Sequence, residues 1–339
     1  MKTARKLTAI ILSMILLFAL SACGNNQNQS TGGVDMNIAC IAGPTGVGMS
    51  RLMKLSDDKQ TVNNYTFTVA SSPDEITGKI ISGEFNIASV PTNLAAKLYK
   101  KSEGKIVMLA ANTLGTLSVI ENGNSVNSFA DLKGKTIYST GEGSNPEYIL
   151  RYLLNANGVD PDKDVTISFF AEPNQLAAAI LAGNADIAFV PEPVATTVLV
   201  KKDTLRRALI INDEWEKLTI NGANGVQYEN SKIVMGCIVA LKSYVDENKT
   251  HVEEFLKEYK ASIEYVNGNV EDAAALCENY GIIASAAVAA KAIPNCNIVY
   301  ITGKEMKDSI DGYFNVLFTA DPSSIGGAMP GDDFYYNAQ

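Results

Sequence analysis

Hydrophobic and polar positions along this chain alternate between two rhythms. Runs rich in β-branched and aromatic residues, Thr66–Val69 and Thr166–Phe169, predict strands. After each run and a proline turn, apolar residues return at helical spacing: Ile76 and Ile80, then Leu176 and Ile180. Gly83 and Gly183 stand where these helices should stop, in the left-handed conformation that a glycine past the last turn permits. Asn86–Val90 and Asp186–Val190 predict the next strands. Pro91 and Pro191 close them, because proline cannot continue a central ladder. Strand–helix–strand therefore occurs twice, as in the βαβ unit of a parallel sheet.

The two copies are one pattern. Thr66–Lys101 aligns with Thr166–Lys201 without a gap, and ten of the 36 positions are identical. A looser repeat precedes each copy. Asn37–Lys54 reads as strand, glycine loop and helix, and so does Lys135–Leu154, where Pro146 suits a first helical turn. The chain thus predicts two similar α/β lobes, beginning near Met36 and Lys135. Lys105–Glu121 reads as two strands that carry the chain across, and Ser231–Leu241 as a buried strand on the way back. Helical patterns follow at Tyr244–Gly268, Val270–Tyr280, Ser285–Ile293 and Gly303–Leu317. The expected architecture is two mostly parallel sheets flanked by helices, joined by a double-strand hinge.

The N-terminus changes the setting. Lys2, Arg5 and Lys6 precede an apolar run from Leu7 to Leu20, a secretory pattern. Leu20-Ser21-Ala22-Cys23 then resembles a bacterial lipobox, which implies cleavage before Cys23 and lipid on its thiol. The polar, turn-rich stretch Gly24–Gly33 reads as a flexible tether. No later segment is long and apolar enough to span a bilayer.

Charge and composition exclude several functions. The net charge is −9, with no basic cluster, which suits neither DNA nor RNA. No C-x-x-C pair occurs, so a structural zinc site is not expected. Cys40 and Cys237 fall in strand-like runs and read as buried free thiols, although export also permits disulfides among Cys40, Cys237, Cys277 and Cys296. His251 is the only histidine, read as a surface residue, which leaves no basis for histidine-dependent catalysis or a multi-histidine metal site.

One stretch imitates an enzyme. Gly43–Ser50 (GPTGVGMS) fits the P-loop pattern except that Met49 replaces the lysine, and Ala208–Glu214 resembles its acidic companion strand. Without the lysine that reaches the β- and γ-phosphates, NTP chemistry is not expected. Met49 is instead expected to pack with Leu52 and Met53.

In open parallel sheets, ligands bind beyond the carboxyl ends of the strands. Those ends carry Gly43–Val47, Ser71–Pro73, Ser89–Thr92, Gly141–Pro146, Ala171–Asn174 and Val190–Pro193. If the lobes face each other, all six loops line one cleft. Helix-opening glycine loops favour an anion or a polar acceptor, while Glu142, Glu147 and Glu192 disfavour a strong anion. A carboxylate at Glu192 suits a cationic or amine-bearing ligand, or it is a solvated loop acid. Trp215, Tyr138 and Tyr228 are candidates for stacking on a ring, or for the core.

The lipobox with its tether, the motif I-x-x-G-x-x-[DN]-I-A-x-V-P in both lobes and the stretch Gly141–Leu154 resemble substrate-binding lipoproteins of ABC transporters. The likeness is to the taurine-, sulfonate- and nitrate-type receptors and the thiamine-pyrimidine (NMT1/THI5-like) proteins. It implies the type II periplasmic-binding-protein fold, with a signal peptide at 1–22, a tether at 23–34, one lobe from 35–118 and 235–339, and the other from 119–234. It implies a non-enzymatic, monomeric receptor without cofactor or metal. Such a receptor is anchored through Cys23 on the outer face of the cell membrane and hands a solute to a permease with a cytosolic ATPase. Expected contacts are Pro44, Thr45, Gly46, Val47, Ser72, Thr92, Gly143, Ser144, Asn145, Pro146 and Glu192. The expected solute is small, polar and nitrogenous, such as a pyrimidine. The alternatives are a taurine-like sulfonate, or a surface lipoprotein that senses without transporting.

Overall fold

Two sheets organise the chain in the computed structural model, which describes residues 32–222 and 225–337. The leader, Cys23 and most of the tether lie outside the described residues. The first sheet comprises β1 (Asp35–Ile41), β2 (Asn64–Ala70), β3 (Ile87–Pro91), β4 (Ile106–Leu114), β12 (Val234–Leu241) and β13 (Ile298–Ile301), in the order β13-β4-β12-β3-β1-β2. The second comprises β5 (Leu117–Asn122), β6 (Thr136–Thr140), β7 (Thr166–Phe170), β8 (Ile187–Pro191) and β9 (Leu205–Ile210), in the order β7-β6-β8-β5-β9.

The internal repeat appears as matched topology. β1 pairs in parallel with β2 and β3. β6 does the same with β7 and β8. The helix between each repeated pair, α3 (Asp74–Ser82) and α6 (Pro173–Ala182), ends at a glycine with φ of 79°. In both cases a side chain would strain the left-handed backbone. β3 and β8 end at Pro91 and Pro191, followed by α4 (Thr92–Lys101) and α7 (Val194–Lys201).

The sheets are mixed rather than mostly parallel. β12 pairs antiparallel with β3 and β4, and β5 pairs antiparallel with β8 and β9. These are the strands through which the chain enters each sheet from the other, rather than from a helix packed on the same sheet. The chain passes between the sheets twice, after Leu114 and before Val234. Two short elements escaped the pattern: β13, and a two-stranded ribbon of β10 (Ile220–Asn221) and β11 (Gln227–Tyr228). The helical pattern from Tyr244 is two helices, α9 (Lys242–Glu247) and α10 (Lys249–Gly268), followed by α11 (Val270–Asn279) and α12 (Ala286–Ala292).

The C-terminal helix α13 (Gly303–Ala320) touches both halves. Its Tyr313 packs edge-on against Trp215 at 6.0 Å, and Trp215 also meets Tyr152 at 5.3 Å. Trp215 is fully buried, so it is a core residue and not a ring platform for solute. Tyr138 likewise packs against Phe170, and Tyr228 lies against α13 near Gly312. Met49, Leu52 and Met53 are buried in one cluster beneath the first sheet. Cys40, Cys237, Cys277 and Cys296 are buried free thiols. Burial pushes Cys277 up to about 11 and Cys40 up to about 12, so the thiolate form is suppressed. His251 is half-buried, with Nδ1 2.9 Å from Asn63 Oδ1, so it is a packed residue rather than a free surface one.

Candidate functional site

The P-loop look-alike folds as a tight turn into α1 (Pro44–Val47) and then α2 (Ser50–Asp57). Gly46 and Gly48 serve packing, whereas Gly43 serves a backbone φ of 105°. A Cβ on Gly46 would lie 2.9 Å from the Ile41 carbonyl oxygen and 3.2 Å from Ile282 Cγ2. Gly46 and Val47 thus turn inward, and Val47 is fully buried, contrary to the expectation that they face a cleft. Pro44 and Thr45 remain at the surface of the turn. The alternation of glycine with small residues signals a tight turn but not which side is inside.

A buried network holds this turn. Ser89 Oγ donates to the Thr45 carbonyl at 2.6 Å. Asn112 Nδ2 donates to Ser89 Oγ at 2.8 Å and to Tyr259 OH at 2.9 Å. Gly236 admits the turn, since a Cβ there would meet Thr45 Cγ2 and Asn112 Oδ1 at 2.6 Å. Sequence reasoning missed Asn112 and Tyr259. Their partners come from four separate segments, which no local pattern links.

The β6–α5 loop carries four expected contacts ahead of α5 (Asn145–Ala156). Gly143 has φ of 67°, and its N–H donates to Glu147 Oε2 at 2.8 Å. Ser144 takes the capping position, yet its hydroxyl turns back to the Gly141 carbonyl at 2.6 Å. Asn145 Nδ2 lies 3.1 Å from Tyr313 OH on α13, and its Oδ1 is buried without a hydrogen-bond partner. Pro146 occupies the first turn of α5. Glu147 is itself held by Arg151 at 2.6 Å. Ser72 is engaged locally, with its N–H and hydroxyl on Glu75 Oε1 at 3.1 and 3.3 Å. Thr92 is 1% exposed, and its hydroxyl finds no hydrogen-bond partner among the described residues.

Glu192 is neither a free cleft carboxylate nor a solvated loop acid. Its side chain is fully buried and pairs with Arg207 Nη2 at 2.6 Å. Its second oxygen accepts from the Thr196 N–H at 3.1 Å, at the first turn of α7. Arg207 also reaches Ser118 Oγ at the start of β5. Cys296, from the segment that returns to the first sheet, lies close enough to sense the pair. Its thiol is pushed up first by burial and then by the Glu192 carboxylate, with Arg207 opposing. α7, which follows Glu192, packs against α12, so the pair lies near where the two halves meet. An arginine inside the strand LRRALI was the available signal, since a buried guanidinium demands a carboxylate.

A cavity of about 460 Å³ lies between α5 and α13, lined by Tyr148, Tyr152, Asn155, Asn315 and Thr319 among others. Among the described residues, no cluster of His, Cys, Asp or Glu suits a metal ion, and no helix is long and apolar enough to cross a membrane.

Two α/β sheets joined by two crossings give the chain a two-lobed architecture. A profile of the family "ABC transporter, phosphonate, periplasmic substrate-binding protein" matches residues 59–290. The chain belongs to this family, the periplasmic substrate-binding components of ABC importers. Proteins of this kind are receptors and not enzymes. An ABC transporter structure from Parabacteroides distasonis is 22% identical, covers 90% of this chain and 99% of its own, and has a TM-score of 0.72. The periplasmic aliphatic sulphonate binding protein SsuA from Escherichia coli is 14% identical over 86% of this chain and 93% of its own, with a TM-score of 0.65. The alkanesulfonate-binding protein SsuA from Xanthomonas axonopodis pv. citri, bound to MOPS, is 12% identical over 87% and 94%, with a TM-score of 0.56. At these identities the likeness is one of fold. No curated protein matches the chain.

Proposed function

We propose that this receptor captures a small, polar, nitrogenous solute, neutral or zwitterionic, such as a pyrimidine, in the cleft between lobes 35–118 plus 235–339 and 119–234. The observation that carries this reading is the absence of an uncommitted cation at the candidate loops. Pro44, Thr45, Ser72, Thr92, Gly143–Pro146 and Glu192 include no lysine or arginine. Arg207, which reaches Glu192, is neutralised by it. The Gly143 N–H, which could serve an anion, is taken by Glu147. A strong anion would have to rely on the remaining backbone amides and hydroxyls.

In this reading Pro44, Thr45, Thr92 and Asn145 face the solute, Ser144 and Pro146 shape the β6–α5 loop, and Glu192 positions the β8–α7 loop. The chain acts without catalysis or cofactor, as a monomer. After cleavage of residues 1–22, lipid on Cys23 tethers it through 23–34 to the outer face of the membrane, where it delivers solute to its permease. Its subgroup is the NMT1/THI5-like one.

The second reading is a receptor for a tetrahedral anion, a sulfonate or phosphonate. The family description favours it. Calorimetric titration of the domain from Val34 onward separates the two. Binding of 4-amino-5-hydroxymethyl-2-methylpyrimidine supports the first, and tight taurine binding without pyrimidine binding overturns it in favour of the second.

A further inference from the structure

The cavity of about 460 Å³ between α5 and α13 falls within the roughly 300–1,000 Å³ of small-ligand pockets. None of the expected solute contacts lines it. Tyr148, Tyr152 and Asn155 follow one another at helical spacing on α5, and Asn315 and Thr319 do so on α13, so one face of each helix forms a wall. Both tyrosines are half-buried. Tyr152 is backed by Trp215 of α8 (Ile211–Glu216) at 5.3 Å, which fixes its ring. Its hydroxyl makes no hydrogen bond among the described residues, and burial alone pushes its pKa up.

The charges on the walls are already matched. Arg151 Nε donates to Glu147 Oε1 at 2.6 Å, and its Nη1 donates to Asp162 Oδ1 at 2.7 Å. Two carboxylates on one guanidinium leave the lining net negative, which repels an anion. What remains is aromatic, amide and hydroxyl. A planar ring can lie against the tyrosines, and a carboxamide can exchange hydrogen bonds with the asparagines, whose side chains both donate and accept. The same walls hold the β6–α5 loop. Glu147 Oε2 accepts from the Gly143 N–H at 2.8 Å, and Tyr148 OH donates to the Gly143 carbonyl at 2.8 Å. Tyr148 OH also lies 3.1 Å from Asp321 Oδ2, just past α13. The hydroxyl has one proton, so Gly143 and Asp321 compete for it. Both backbone polar groups of Gly143 thus depend on residues that line the cavity.

We infer that the cavity between α5 and α13 is a second ligand site, for a small, uncharged aromatic molecule carrying an amide-like donor and acceptor, and that its occupancy is linked to the β6–α5 loop through Glu147 and Tyr148. The site stands whichever solute the candidate loops take. A ligand that shifts the loop changes the affinity of whatever the loop binds, and by reciprocity that solute changes the affinity of the ligand by the same factor.

Nicotinamide and nicotinate make the test, since they share a ring and differ in carboxamide against carboxylate. Each is titrated into isotope-labelled protein while the backbone amide signals are followed by NMR, on the wild type, on Thr319→Trp and on Asn155→Trp. Both positions are exposed, so an indole there obstructs the cavity without entering the core, and the second variant serves if the first misfolds. We expect nicotinamide to shift the amides of Tyr148, Tyr152, Thr319 and Gly143 along one saturating curve. Nicotinate should bind at least about tenfold more weakly, and each folded variant should abolish the shifts. A lack of saturation by nicotinamide, or equal binding of nicotinate, overturns the site. Shifts that persist in the variants overturn it too, and assign the binding to the candidate solute loops. Saturation at the walls with Gly143 unmoved overturns the link to the loop. The reading of the solute is judged by its own titration, so the two fail separately.

Discussion

Arg207 Nη2 lies 2.6 Å from Glu192 Oε1, with the carboxylate fully shielded from solvent. The contact joins β9 to the loop after β8, and Arg207 extends it to Ser118 at the start of β5. It stitches the β8–α7 loop to the strand that enters from the first lobe. Breaking such a pair from one side costs more than replacing it whole, because a lone buried charge remains. Arg207→Met should therefore destabilise the domain by about 3–5 kcal/mol. The double change Arg207→Met with Glu192→Gln should recover most of that. Urea unfolding of the two proteins measures the difference, and equal losses would show that the pair is not what holds the loop.

Glu121 predicts an acid-sensitive limb. It is 2% exposed and bound to Arg206 Nη2 at 2.6 Å. Burial opposes its ionisation, but hydrogen bonds from the Ser125 hydroxyl and N–H, the Val126 N–H and Arg206 outweigh it and hold the carboxyl below 4.5. The depressed value contributes stability that is present above the unfolded pKa and is lost as pH falls through the folded one. Melting temperatures measured from pH 7 down should drop below about pH 4.5, and Glu121→Gln should flatten that fall. Parallel curves for the two proteins would refute the assignment.

Two glycines separate packing from backbone strain. Gly46→Val drives a side chain against the Ile41 carbonyl and should cost about 1–3 kcal/mol through overpacking. Gly143→Ala meets nothing within 4 Å and pays only for φ of 67°, about 1–2 kcal/mol. Thermal unfolding should rank the variants with valine at 46 the less stable.

Met49→Lys completes the P-loop consensus but places an ammonium at a fully buried position. It should confer no ATP binding and should lower the melting temperature by several degrees. ATP affinity of this variant by equilibrium dialysis, or an unchanged melting point, would contradict the burial.

Four cysteines of the domain from Val34 onward are buried, and those with raised pKa values include Cys40 and Cys277. Ellman's reagent should react with them only on unfolding. Rapid labelling of the native domain would show that these segments open.

The repeat shows how far the sequence reached. Ile80, Gly83, Pro91 and their partners 100 residues on mark helix faces, helix ends and strand ends, because each depends on neighbours a few positions away. β13 and the β10–β11 ribbon were invisible, since strands of four and two residues carry too little periodicity. The sequence located the strand-end loops but not the facing of their side chains. Gly46 and Val47 turn inward because Ile41 and Ile282 back them, and Ile282 is distant in sequence.

Local chemistry, then, determined by itself that this chain builds two α/β halves, where their strands end, and that Met49 makes no phosphate site. Tertiary structure alone decided that Glu192 is neutralised, that Trp215 is core, and that Tyr148 reaches Asp321. Those outcomes depend on which charges and donors meet across the fold. Such meetings are set by three-dimensional packing, and hydrophobic periodicity along the chain does not encode them.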